Sequence, residues 1–179
     1  MASPDRAGRE PGRDENPDRE PDPHDVARQI ALRQLTMAPR SRAQLADKLA
    51  AKNVPAEVAD SVLDRLTEVG LVDDVAFAQG FVATRRGQRG RRALTQELRR
   101  KGVDEELAAE VVGEVDDASQ EEAARVLVRR KVATMRGLDD QVRVRRLAGM
   151  LARRGFPSDV VMRVVRQEVA ADGAEFFAD

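Results

Sequence analysis

From Asp22 onward the apolar positions recur at the three- and four-residue spacing of helices that bury one face. Ile30, Ala31 and Leu35 make the first such face. It follows Asp22-Pro23, where Asp suits an N-cap and Pro the first helical position. This helix is expected to stop before Pro39. Ser41 then caps a second helix carrying Leu45 and Leu49, which ends near Asn53. Pro55 opens a third, with Val58, Val62, Leu63, Leu66 and Val69. Gly70 follows in the C′ position, where a left-handed backbone costs glycine least.

The pattern then returns twice. Leu45 and Leu49 have counterparts in Leu94 and Leu98, and again in Leu147 and Leu151. The junction Lys52-Asn53-Val54-Pro55 becomes Lys101-Gly102-Val103-Asp104 and then Arg154-Gly155-Phe156-Pro157. Asn or Gly stands where φ is expected to be positive, and Pro or Asp where the next helix starts. Val58, Val62 and Leu63 become Leu107, Val111 and Val112, then Val160, Val164 and Val165. The first helices match less clearly. The longer last interval is expected to extend the first helix or its loop near Ala133–Leu138. The reading is an all-α fold of three tandem three-helix repeats forming an elongated curved array. Its modules span 22–70, 71–116 and 117–171. A disordered, acidic and Pro-rich tail over 1–21 precedes them, and a C-terminal tail over 172–179 follows. The adjacent Phe176 and Phe177 of that last tail either dock on the third module or serve a partner.

Composition narrows the chemistry. Aromatic residues make up 3% of the chain, all of them Phe, which disfavours a β-sandwich or barrel. There is no Cys, and the one His, His24, lies in the leading segment, so thiolate chemistry is excluded and imidazole catalysis is not expected. No apolar run approaches the ~20 residues of a membrane span. No GxxxxGK[ST] loop is present. The expectation is a cytoplasmic, non-enzymatic monomer with no cofactor and no bound metal.

Charge is distributed unevenly. Residues 1–25 carry eight acids and four arginines, against a formal net charge of −1 for the whole chain, which leaves the rest mildly basic. Between Thr84 and Lys101 seven Arg and one Lys face a single acid, Glu97. Arginines neutralise phosphates and release counterions, so this run is the main candidate for a polyanion or acidic-protein contact. Arg85, Arg86, Arg89, Arg91 and Arg92 are the favoured contacts. Gly87 and Gly90 are read as letting backbone amides approach an anion at a helix N-terminus. Arg99, Arg100 and Lys101 are further candidates, although a helix dipole would also place them at a C-terminus. A second basic set is Arg125, Arg129, Arg130 and Lys131, which Arg143, Arg146, Arg153 and Arg154 extend into a strip on the third module. The acid pairs Asp73-Asp74, Asp116-Asp117 and Asp139-Asp140 sit at expected helix starts and are read as caps, not as metal or acid–base sites. Phe77, Phe81 and Phe156 are read as core.

Gly70-Leu71-Val72-Asp73-Asp74 running into Phe77-Ala78, Glu97-Leu98 with Lys101-Gly102-Val103, and Leu151-Ala152-Arg153-Arg154-Gly155-Phe156 resemble the RecX family of regulators of the RecA recombinase. The resemblance covers about residues 25–170. It implies three three-helix repeats that bind the RecA–DNA filament and lower its ATPase, strand-exchange and co-protease activities. DNA, single- or double-stranded, is implied as a weak and nonspecific second partner. The alternative is a sequence-nonspecific DNA-binding protein of helix-turn-helix-like modules. Against major-groove reading stands the acidic third helix of the middle module, Asp104-Glu105-Glu106-Leu107-Ala108-Ala109-Glu110, which would repel DNA.

Overall fold

A computed structural model describes residues 22–176, with side chains as far as residue 173. The expected tail over 1–21 and Phe177 lie outside the described residues. Within them the chain forms nine α-helices and one 3-10 turn, with no strand. The helices fall into three consecutive triples. The first is α1 (Pro23–Met37), α2 (Arg42–Ala50) and α3 (Ala56–Glu68). The second is α4 (Asp74–Arg85), α5 (Arg91–Arg100) and α6 (Glu105–Gly113). The third is α7 (Asp117–Val132), α8 (Asp140–Arg153) and α9 (Ser158–Phe176), with the 3-10 turn at Ala133–Met135.

Each triple closes around its own apolar core. Leu45 and Leu49, Leu94 and Leu98, and Leu147 and Leu151 are all fully buried, one pair at the centre of each triple. The third helices bring Val62 and Leu63, Val111 and Val112, and Val164 and Val165 against them. Phe156 is buried in the third core, while Phe77 and Phe81 are partly buried against the second, their ring centroids 6.4 Å apart. Val69, expected on the apolar face of α3, is exposed instead. It is the C-cap residue, and the helix has already ended there.

Local signals set the helix boundaries. The Asp22 carboxylate accepts from the His24 amide at 2.9 Å, and Pro23 opens α1. Ser41 and Gln44 form a reciprocal capping box at α2. Asp73, Asp104, Asp116 and Asp139 each accept from a first-turn amide, so the acid pairs are indeed helix starts. Asn53, Gly70, Gly102 and Gly155 have φ of 59°, 72°, 78° and 81°, as their place after a helix requires.

The third triple is longer partly where expected, in its first helix: α7 has 16 residues against 12 in α4. It also gains a full turn at the start of α8, ahead of Leu147, which was not expected. The last helix does not end near residue 171, because α9 continues through Phe176.

Candidate functional site

The basic run lies on the last turn of α4, the loop after it, and α5. Arg85 ends α4, and its carbonyl accepts from the Gln88 and Arg89 amides, so the loop curls into a compact turn. That turn sets two arginines on one acid. Arg85 and Arg89 approach Glu97 at 3.5 and 2.9 Å. The Arg85 guanidinium also lies 4.7 Å from the centre of the Phe81 ring, with the Lys101 ammonium at 5.4 Å from the same ring. This side of α5 is closed within its own triple.

The start of α5 does something the sequence did not suggest. Its N-cap is Gly90, which has no side chain of its own to cap it. The Gly90 amide donates to the Arg154 carbonyl at 2.8 Å, and the Arg92 amide to the Gly155 carbonyl at 3.2 Å. The Arg91 amide donates to Oε1 of the fully buried Gln120 at 3.0 Å. The first turn of α5 is therefore seated on the α8–α9 turn of the third triple. A Cβ on Gly90 would stand 2.2 Å from the Gly155 oxygen, and one on Gly155 would stand 2.4 Å from the Ala93 nitrogen. Gly90 thus serves a close approach of two backbone segments, and the amides expected to receive an anion are already bonded.

The first joint is built the same way. Ser41, at the start of α2, donates its hydroxyl to the Lys101 carbonyl at 2.5 Å, on the α5–α6 turn of the second triple. The Arg42 amide donates to the Asp74 carboxylate at 2.8 Å, just as the Arg91 amide meets Gln120. A Cβ on Gly102 would stand 2.1 Å from that of Ala43. In both joints, the second helix of one triple starts against the turn between the second and third helices of the next. The first helix of that next triple then caps it from the side. The arginines at the joints are also engaged. Arg42 reaches Asp64 at 2.8 Å, and Arg91 bonds the Val115 carbonyl and Asp117.

The second basic set divides likewise. Arg125 pairs with Glu121, Glu122 and Glu168, and Arg129 with Glu168 at 2.8 Å. Hydrogen bonds to Glu122 and Glu121 raise the Arg125 pKa, and Glu168 does the same for Arg129. Arg143, expected on a surface strip, is 4% exposed and pairs with Asp172 and Asp140. Arg86, Arg92, Arg100, Arg130 and Lys131 are exposed and have no ion pair among the described residues. Arg99 holds only the exposed Glu105, at 3.0 Å. Along α5, Arg92, Gln96 and Arg99 share the face turned toward Arg153 of α8, across a cleft of about 600 Å3. No side chain lining it is acidic.

Comparison with known proteins places this geometry. Models of the first, second and third three-helix domains of RecX match residues 27–66, 73–112 and 119–165. The chain belongs to the RecX family. Regulatory protein RecX of Thermobifida fusca is 50% identical over 177 residues, covering 96% of this chain and 95% of the relative. The Streptomyces lividans protein of the same name is 50% identical over 156 residues, covering 86% of this chain and 83% of the relative. The crystal structure of RecX from Lactobacillus salivarius superposes with a TM-score of 0.76 at 20% identity, over 83% of this chain and 97% of that one. A second crystal structure of a regulatory protein RecX gives a TM-score of 0.74 at 25% identity, over 80% of this chain and 73% of that one. The chain is thus similar to RecX regulators over nearly its whole length, and its three triples are the family's three domains. No helix among the described residues is long and apolar enough to cross a membrane.

Proposed function

We propose that this chain regulates a RecA-type recombinase by binding the recombinase–DNA filament and lowering its ATPase, strand-exchange and co-protease activities. It acts without chemistry of its own, touching protein chiefly and phosphate secondarily. The observation that carries this reading is the set of three RecX domains in one chain, joined in series by two joints of the same design. A row of similar modules at fixed spacing suits a helical partner, because neighbouring modules can meet neighbouring protomers. Arg86, Arg92, Arg99, Arg100, Arg130 and Lys131 supply the contacts to acid or phosphate, since their guanidinium and ammonium groups are open to solvent. Arg85, Arg89, Arg91, Arg125 and Arg129 chiefly hold the fold. DNA reading by helix-turn-helix geometry is disfavoured, because Asp104, Glu105, Glu106 and Glu110 of α6 all face solvent where a recognition helix would meet phosphate.

The test is sedimentation with ATP-loaded RecA on single-stranded DNA, together with ATPase measurements. The chain is expected to pellet with the filament and to depress hydrolysis when present at less than one copy per recombinase protomer. Hydrolysis that stays constant across a full titration would overturn the reading.

A further inference from the structure

The cleft between α5 and the end of α8 gathers positive charge that the described residues neutralise only in part. Arg92 and Arg153 are exposed and without an ion pair among the described residues. Arg99 joins them, and its one partner, Glu105, is itself exposed. An exposed pair of this kind contributes little and exchanges readily. Thr95 and Gln96 add hydrogen-bonding groups to the floor, and Ala152 adds an apolar wall. The volume, about 600 Å3, falls within the ~300–1,000 Å3 of binding pockets. The walls are rigid, because Arg92 and Gly155 are tied by a backbone hydrogen bond at the joint itself. Like charges held together in a concave, acid-free site favour an anionic occupant.

We propose that this inter-module cleft is a docking site for a short acidic peptide segment. Two features favour a peptide over nucleic acid. One end of the cleft lies beside the start of α6, where Glu105 pairs with Arg99 at 3.0 Å between exposed Asp104 and Glu106, and these acids disfavour a long polyanion that runs on past the cleft. A nucleic acid strand would also find no ring to stack on, because none of the lining residues is aromatic. Guanidinium groups meanwhile hold carboxylates in charge-assisted, often bidentate pairs. Spacing adds a specificity rule. Arg92 and Arg99 are seven positions apart on one helix, which is ~10.5 Å along its axis. In a polyproline II segment, residues three apart lie on the same side, ~9.3 Å from one another. The site therefore takes extended acidic segments with carboxylates at i and i+3, one on each arginine, with Arg153 closing over the peptide between them.

The proposal takes its biological setting from the filament-regulator reading, but its test uses no recombinase, so the two fail separately. A fluorescent Asp-Pro-Ala repeat peptide is titrated with the full chain and followed by anisotropy. An Asn-Pro-Ala peptide and an oligothymidylate strand serve as competitors. Saturable, salt-sensitive binding of the Asp peptide is expected, and neither competitor should displace it. Arg92→Glu with Arg153→Glu should weaken it at least about tenfold, equivalent to ~1.4 kcal/mol, and Arg92→Gln with Arg153→Gln should weaken it by less. Circular dichroism should be unchanged in both. Arg33→Glu with Lys48→Glu, exposed positions of the first module, should leave binding as it was. Absence of peptide binding, equal loss in the first-module variant, or displacement by the oligothymidylate would each overturn the proposal.

Discussion

Gly155 and Asn53 stand at the same place in the repeat, both with positive φ, yet they answer to different constraints. At Gly155 a side chain is excluded twice, once by φ and once by the Ala93 backbone nitrogen 2.4 Å from where its Cβ would lie. At Asn53 only φ matters, and Asn adopts the left-handed region more readily than most residues. Gly155→Ala is therefore expected to cost more than the ~1–2 kcal/mol of a left-handed alanine, because the joint must also open. Asn53→Gly should shift stability by only a few tenths of a kcal/mol, by analogy with exposed capping exchanges. Urea denaturation of the two variants checks this, and similar midpoints would show that the joint yields at no cost. Positive φ at all of these junctions was legible from residue type alone. The reason for glycine at Gly90 was not, because a glycine that admits an anion and one that admits another backbone have the same sequence. The neighbours Arg91 and Arg92 make the same point. They are adjacent and chemically identical, but about 100° apart around the helix at 3.6 residues per turn. One is half-buried on Val115 and Asp117, and the other opens onto the cleft.

Helices α8 and α9 extend beyond their counterparts in the other triples, and a charged cluster holds the extension. Asp172 on α9 is 7% exposed and receives Arg136 from the loop after α7 and Arg143 from the added turn of α8. The hydrogen bond from Arg136, opposed by burial and supported by Arg143, holds the Asp172 carboxyl below its usual range. A depressed carboxyl contributes stability above its unfolded value of ~3.9 and loses it as pH falls through the folded value. Asp172→Asn is therefore expected to destabilise the protein at neutral pH by up to ~3 kcal/mol, since Arg143 is left buried opposite a neutral group. The gap to the unsubstituted protein should close as pH falls below that of a free carboxyl. Denaturation midpoints of both proteins across that range test this, and a gap independent of pH would assign the loss to packing. Helix starts were readable here, because Asp116 and Asp139 act on amides within their own first turn. The clasp was not, because Arg143 and Asp172 are 29 positions apart and neither departs from the polar pattern of an exposed helix face.

Across the whole molecule the two joints are head-to-tail, each a helix start placed on the following module's turn. An interface of this kind does not close on itself and can in principle propagate from copy to copy into a filament. Its two free halves would be the turn at Lys52-Asn53-Val54 in the first module and the start of α8 in the third. Neither matches the halves used inside the chain. Asn53 carries a side chain where Gly102 and Gly155 must have none to receive Ala43 and Ala93. At the other end, α8 begins a full turn earlier than α5, and that turn is occupied by the buried Arg143 and its pairs with Asp140 and Asp172. One side chain at one end and one added turn of helix at the other thus depart from the fit used at the internal joints. The chain should run as a monomer in light scattering at every concentration tested, and mass that grows with concentration would show that an end remains open. Three modules joined in series leave their outward faces to other molecules, and under the proposed binding to a recombinase filament, ends that do not take further copies would let the row follow the filament's repeat instead of its own.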